Sequence, residues 1–190
     1  MADLVIQARD GNRPAFEQLI DHYQGDIYRL IYYRIRTRMD AEDLTQDVFV
    51  RAFRNIARIR EPLKFRGWLF RIAINRVNDY LRKKRVRSIF KSSDEGPDAQ
   101  PVTTEFQEPP EALEQVLKED FWRHIERIAK KLSKMEREVF MLRFLDNLNI
   151  NEIAQILKKS ESTVKTHLYR ALAKFKKEKG LRQFLQEDLT

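Results

Sequence analysis

Apolar residues recur along most of this chain at the three- and four-residue intervals of an α-helix, and no stretch alternates with the two-residue period of a strand. After Pro14, which suits a first helical turn, Phe16, Leu19, Ile20, Tyr23, Ile27, Leu30 and Ile31 form one stripe. The run DAEDLTQDVFVRAFRNI carries Leu44, Val48, Ala52 and Ile56 on one side, with Asp40 predicted as its N-cap and Asp43 as the capping-box acid. Glu61 and Pro62 break the run, because the residue before a proline is driven out of the helical region. A long helix is predicted from about Phe65 to Arg87, with Leu69, Ile72, Ala73, Val77, Tyr80 and Leu81 turned inward. A short helix over residues 2–9 completes a four-helix N-terminal domain.

The periodicity stops over residues 92–110, SSDEGPDAQPVTTEFQEPP, which hold four of the six prolines and few apolar side chains. Prolines oppose helix and this composition cannot build a core, so the segment reads as a linker. Helical spacing resumes over about 111–131 through Leu113, Val116, Leu117, Phe121, Ile125 and Ile128. Ser133 and Glu136 form a predicted capping box for SKMEREVFMLRFLDN, with Met135, Val139, Leu142 and Phe144 inward. Two short helices then meet at Lys158, Lys159 and Ser160. The first carries Ile150, Ile153, Ala154, Ile156 and Leu157; the second carries Val164, Leu168, Leu172 and Phe175, with Ser160 or Ser162 as its cap. Ala154 is small enough for a close crossing. Lys158 stands where such a turn favours glycine, so a positive φ there strains it. The fold class is all-α: a domain over 1–91, a linker over 92–110 and a domain over 111–190.

Charge sharpens this division. Residues 1–90 hold 19 basic and 11 acidic side chains, residues 91–120 hold 2 and 9, and residues 121–190 hold 16 and 9. Two basic domains flanking an acidic segment suit a phosphate-rich partner, since cations on such a surface release counterions from nucleic acid. The absence of cysteine removes disulfides, thiol nucleophiles and thiolate zinc sites, and three scattered histidines (His22, His124, His167) argue against a metal cluster; no cofactor is expected. No apolar run has the length of a membrane span and no leader pattern opens the chain, so a soluble, cytoplasmic protein is expected.

Two stretches carry candidate chemistry. Phe65, Trp68, Phe70 and Tyr80 are interleaved with Arg66, Arg71, Arg76, Arg82, Lys83, Lys84 and Arg85, while Arg71, Asn75, Asn78 and Arg82 share one polar face. Unstacked bases lie on aromatic faces while cations follow phosphates, and an amide reads a base edge. The plain alternative makes Trp68 and Phe70 core and the terminal basic run a solvated tail. In the C-terminal pair, Lys165, Thr166, His167 and Arg170 lie away from the apolar stripe of the second helix, as in a helix-turn-helix whose second helix enters the major groove. Two other classes stay open. A DNA-acting enzyme such as a recombinase needs an activated Ser or Tyr with an Arg cluster, yet no acid–base constellation surrounds Tyr80. A stand-alone regulator needs a sensory N-terminal domain with a ligand pocket or phosphoacceptor, whereas this one reads as wholly helical.

The strings DAEDLTQDVFVRAF, FRGWLFRIAINRVNDYLRKKR and LSKMEREVFMLRFLDNLNINEIAQILKKSESTVKTHLYRALAKF, in this order, closely resemble bacterial sigma factors of the extracytoplasmic-function group. The resemblance implies two helical domains, regions two and four, that bind core RNA polymerase and direct it to promoter DNA without catalysis of their own. It assigns Asp43, Gln46, Asp47 and Phe49 to the clamp of the beta-prime subunit. It assigns the loop over about Ile59 to Gly67 and the face of the next helix to the minus-ten element, with Phe65, Trp68, Asn75 and Asn78 on flipped bases and Arg71, Arg76 and Arg82 on phosphates. In region four it directs Lys165, Thr166 and Arg170 to base edges of the minus-thirty-five element and Ser162, Thr163 and His167 to its backbone. It also implies contact with the polymerase beta flap, and an anti-sigma factor as the usual partner. The acidic segment matches the connector that runs through polymerase channels, or serves as a passive tether.

Overall fold

The computed structural model describes residues 1–91 and 131–176, with side chains described for residues 1–87 and 131–176. The expected linker and nearly all of the helix expected over 111–131 lie outside the described residues. The chain divides into two compact units, Met1–Gln107 and Glu108–Thr190. All regular structure among the described residues is helical: α1 (Ala2–Arg9), α2 (Arg13–Ile35), α3 (Arg38–Asn55) and α4 (Phe65–Lys91) in the first unit, and α5 (Lys134–Phe144), α6 (Ile150–Leu157) and α7 (Glu161–Lys176) in the second.

In the first unit, Gly11 (φ +98°) turns the chain from α1 into α2. Asn12 caps α2 by accepting the Ala15 N–H at 3.1 Å, and Pro14 lies in the first turn as expected. The α2 stripe Phe16, Leu19, Tyr23, Ile27, Leu30 and Ile31 is buried. The predicted start of α3 needs correction. The helix begins at Arg38, with Thr37 in the N-cap position and no side-chain cap bond. Asp40 therefore lies inside the first turn, where its charge suits the helix dipole, and its carboxylate accepts the Tyr80 hydroxyl from α4 at 2.7 Å. A tertiary partner has claimed the group that local pattern assigned to a cap.

Two single-turn 3-10 helices, Ile56–Arg58 and Pro62–Lys64, bridge α3 and α4. Helix α4 packs on both α2 and α3, so its buried face is broader than one stripe. Leu69, Ala73 and Val77 are buried as expected, but Phe65, Phe70 and Ile74 join them, whereas Leu81 is exposed and Ile72 and Tyr80 are only half-buried.

In the second unit, the capping box of α5 is present. Ser133 Oγ accepts the Glu136 N–H at 3.3 Å and Glu136 accepts the Ser133 N–H at 2.8 Å. Glu136 is buried and receives Lys174 Nζ from α7 at 2.6 Å, which holds its carboxyl below the usual range. Phe144, expected inward, is 50% exposed; Phe140 takes the core position, stacked on Phe175 at 4.2 Å. The reason is tertiary: Leu132, just before α5, and Phe140 on it share one cluster with Ala171 and Phe175 of α7. A second capping box, Asn149 with Glu152, opens α6. Helix α6 ends at Lys158 in the left-handed region (φ +53°), and Ser160 is the cap of α7, accepting the Thr163 N–H at 3.2 Å.

Two outcomes are expected. Burial first, then the bond to Asp40, pushes the Tyr80 hydroxyl up to about 12 from a usual value of 10.0. The fold thus favours neutral tyrosine, and this stabilisation is full below pH 10 and lost as pH rises through 10 toward 12. Urea titrations at stepped alkaline pH should show that loss in the wild-type chain and a flatter dependence in Tyr80→Phe, which should itself cost about 1 kcal/mol at neutral pH. At Lys158 the left-handed backbone penalises any side chain, so Lys158→Gly should stabilise the second unit by about 1 kcal/mol, read as a higher denaturation midpoint.

Candidate nucleic-acid interface

On α7, the buried side is Val164, Ala171 and Phe175, and the residues one half-turn away, Ser162, Lys165, Thr166, Tyr169 and Arg170, are exposed. This is the face a major-groove helix must present. Its orientation is set from two sides. Buried Ala154 sits on α6, and Asn151 Nδ2 from that helix donates to Glu161 Oε1 at 2.9 Å at the start of α7. The far end is tied by Lys174 to Glu136. Tyr169, 68% exposed, escaped the sequence reading. Its signal was available, since it lies three and four residues beyond Thr166 and Lys165. The Thr166 hydroxyl donates to the Ser162 carbonyl at 2.9 Å, so its hydroxyl is engaged within the helix. Thr163 is half-buried at the cap, its hydroxyl 2.8 Å from that of Ser160. His167 flanks the face half-buried, with a buried Nδ1 that lacks a partner.

On α4, Asn75, Asn78 and Arg82 are exposed together, and Arg82 pairs with Asp79 at 3.0 Å. Arg71 on the same helix is half-buried, with a buried, unpartnered Nε. The two orphaned buried nitrogens among the described side chains thus belong to two residues expected to meet DNA, and an unpaired buried donor or acceptor is costly until a ligand satisfies it.

Three expected site residues sit elsewhere than the sequence reading required. Phe65 is 2% exposed, packed near Tyr23 (ring centroids 5.6 Å) and Trp68 (5.7 Å), so its ring cannot receive a base without leaving the core. Phe70, also buried, has the Arg66 guanidinium 5.1 Å from its ring centre; Trp68 is the half-exposed aromatic of this group. Arg76 has a side chain only 20% exposed and pairs with Asp47 of α3 and with Asp79 at 3.5 Å, which makes it a strut between helices. Phe49, 7% exposed, is core of α3.

The exposed side of α3 holds Asp43 and Gln46, with Asp47 at its edge engaged by Arg76 and by Arg51 at 3.1 Å. The same face continues through Val50 and Phe53, both partly exposed, at helical spacing from Gln46. An acidic, polar half followed by an apolar half is the composition of a protein-docking face, and its apolar half was missed because sequence alone assigned no partner to these residues. Among the described residues, no group of three or more His, Cys, Asp or Glu side chains is placed to hold a metal ion, and no helix is long and apolar enough to cross a membrane.

Comparison with known proteins agrees with this geometry. Residues 19–87 match the model of Sigma-70 region 2, and residues 123–175 match that of Sigma-70 region 4. The ECF RNA polymerase sigma factor BldN of Streptomyces coelicolor is 35% identical over 173 residues, covering 90% of this chain and 63% of that protein. The ECF RNA polymerase sigma factor SigW of Bacillus subtilis is 31% identical over 180 residues, covering 92% of this chain and 94% of that protein. The structure of CnrH in complex with the cytosolic domain of CnrY superposes with a TM-score of 0.66 at 25% identity, covering 98% of this chain and 97% of that one. The α4 surface with its exposed asparagines falls in the region 2 match and the exposed polar face of α7 in the region 4 match, and the chain belongs to the ECF group of RNA polymerase sigma factors in the sigma-70 family.

Proposed function

We propose that this protein docks on core RNA polymerase through α3, reads the minus-thirty-five element with α7, captures unpaired minus-ten bases on α4 and so starts transcription at selected promoters. Sigma factors are initiation factors rather than catalysts, and no residue here is assigned a catalytic role. One observation carries the reading: two separately built, exposed polar surfaces, on α4 and α7, lie within the matches to regions 2 and 4. In this reading residues 1–91 are region two, 92–110 the connector and 111–190 region four, which also meets the beta flap. The site of action is the cytoplasm, where polymerase and promoter meet.

The residue roles follow from exposure and chemistry. Asp43 and Gln46 meet the beta-prime clamp, with Val50 and Phe53 extending the contact; Asp47 and Arg76 hold α3 against α4, and Phe49 and Phe65 support the two surfaces from beneath. Asn75 and Asn78 read bases through their amides, beside half-exposed Trp68, while Arg71 and Arg82 neutralise phosphates. On α7, Arg170 suits a bidentate contact to guanine. Lys165 and Tyr169 flank it, and Thr166, whose hydroxyl is engaged internally, offers a methyl group to thymine. Ser162, Thr163 and His167 approach the backbone. A protein that occludes these surfaces would silence the factor; CnrH, whose fold is similar, was solved with the cytosolic domain of CnrY, and an anti-sigma factor is the partner expected here.

Run-off transcription with core polymerase over a randomised promoter library tests the whole proposal: initiation should enrich two separated elements, and the absence of any enriched element would reject it. Arg170→Ala should cost about 1–3 kcal/mol and relax preference at one upstream base pair. Asn75→Ala should instead lose discrimination at one minus-ten base on a pre-melted bubble while upstream duplex recognition persists. For the docking face, Asp43→Lys combined with Gln46→Lys leaves the Asp47–Arg76 pair intact and should abolish co-purification with core polymerase at unchanged helical content; retained binding would remove α3 from the interface.

A further inference from the structure

Asp79 has no place among the assignments above, yet it lies on the side of α4 that is assigned to promoter DNA. It follows Asn75 by four residues and precedes Arg82 by three, the spacings that share a helix face. A bare carboxylate there would repel the phosphate that Arg82 is assigned to hold. Asp79 is compensated from two sides: Oδ1 accepts Arg82 Nη2 at 3.0 Å, and Oδ2 lies 3.5 Å from Arg76 Nη1. Arg76 in turn donates through Nε to Asp47 of α3, which also accepts Arg51 Nε at 3.1 Å. Arg51, Asp47, Arg76, Asp79 and Arg82 thus form a ladder of alternating charge. It runs from the helix assigned to polymerase to the helix assigned to DNA.

The contacts in this ladder are unequal. Arg76 and Asp47 are 20% and 35% exposed, the least hydrated pair, and Arg76 meets Asp79 only at the longer distance. Asp79 and Arg82 are 41% and 74% exposed, and a pair so open to water is weak and easily exchanged. With Arg76 committed to Asp47, Asp79 draws its closer counter-charge from Arg82. The guanidinium fork of Arg76 has five donors and already faces both acids, so whatever else satisfies Asp47 decides which acid it serves.

We propose that Asp79 and Arg76 are positioning residues that make the phosphate contact of Arg82 depend on the occupancy of α3. A basic partner at the edge of α3 gives Asp47 another cation. Arg76 then turns its fork to Asp79, and Arg82 leaves Asp79 for a phosphate. Without that partner, Arg82 is held by an acid and the α4 face binds DNA less well. By linkage, bound DNA favours docking on α3 by the same factor. The Tyr80–Asp40 bond lies outside the ladder and keeps α4 seated while the pairs exchange. The proposal rests on the reading of α3 as the polymerase face and α4 as the minus-ten face, and adds the coupling between them.

The test follows binding of a fluorescent single-stranded minus-ten oligonucleotide by anisotropy over a range of salt concentrations. It uses the complete chain, free and saturated with core polymerase. The net charge of +8 makes binding by the free chain measurable at low salt. In the free chain, Asp47→Asn should tighten binding about threefold and steepen the log–log salt dependence by about 0.7, the value of one more phosphate contact on a single strand. Glu42→Gln, which removes the same charge from α3 outside the ladder, should leave the slope unchanged. Asp79→Asn, a surface change, should steepen the slope as Asp47→Asn does, and adding Asp47→Asn to it should change nothing further. The same silence is expected when Asp47→Asn is added to Arg76→Gln, because Asp79 then keeps Arg82 whatever stands at position 47. In the polymerase complex, Asp47→Asn should have no effect on the slope. Equal gains from Asp47→Asn and Glu42→Gln would overturn the coupling, since the effect would be one of net charge. So would an Asp47→Asn gain that persists beside Asp79→Asn or in the complex. A wild-type complex that does not prefer the minus-ten strand to a scrambled one would remove the minus-ten reading itself, a result distinct from every outcome for the variants.

Discussion

The packing of α4 against α2 and α3 is the constraint on which the first unit depends, because one helix must supply both core and reading surface. Its buried side, Phe65, Leu69, Phe70, Ala73, Ile74 and Val77, is apolar and free to slide or rotate by small amounts without losing burial. Two polar ties remove that freedom. Tyr80 reaches Asp40 near the start of α3, and Arg76 reaches Asp47 two turns further along. Because hydrogen bonds are directional where hydrophobic contact is not, these two ties fix the rotation of α4 within the small range that burial allows. Asn75 and Asn78 lie outside the buried side and are exposed. The same ties join the helix assigned to polymerase with the helix assigned to promoter bases.

The second unit solves a similar problem with shorter elements. Isolated helices of 8 to 16 residues are marginal in water, so α5, α6 and α7 require caps and mutual burial. Two capping boxes and the Ser160 cap satisfy the first-turn donors. Glu136 serves twice, closing the α5 box and accepting Lys174 from α7, so the start of one helix and the end of another are held by a single carboxylate. Phe140 stacked on Phe175 fills the space beneath. What is left on the outside of α7 is a polar face with one large aromatic residue, Tyr169, whose position depends on that burial.

Much of this was legible in the order of residues. Helical period, the break at Pro62, the caps at Ser133 and Ser160 and the positive φ at Lys158 are local properties, set by interactions within a few residues of chain, and local pattern reports them directly. The family resemblance was equally open, since it rests on contiguous strings. The departures share one cause. Asp40 is an acid at the start of a helix by any local rule, but Tyr80, forty residues on, claims it. Phe144 and Phe140 are both apolar and four residues apart, and only the position of α7 chooses between them.

The candidate site divides along the same line. The sequence by itself determined the all-helical class, the helix-turn-helix with Lys165, Thr166 and Arg170 on one side, and the amides Asn75 and Asn78 on another, because each is a matter of spacing along one helix. Only the tertiary structure decided that Phe65 and Phe49 are core, that Arg76 is a strut, and that Val50 and Phe53 face outward. Spacing along a helix says which residues share a face. It cannot say which of several faces a neighbouring helix will cover, because that depends on where distant segments come to rest.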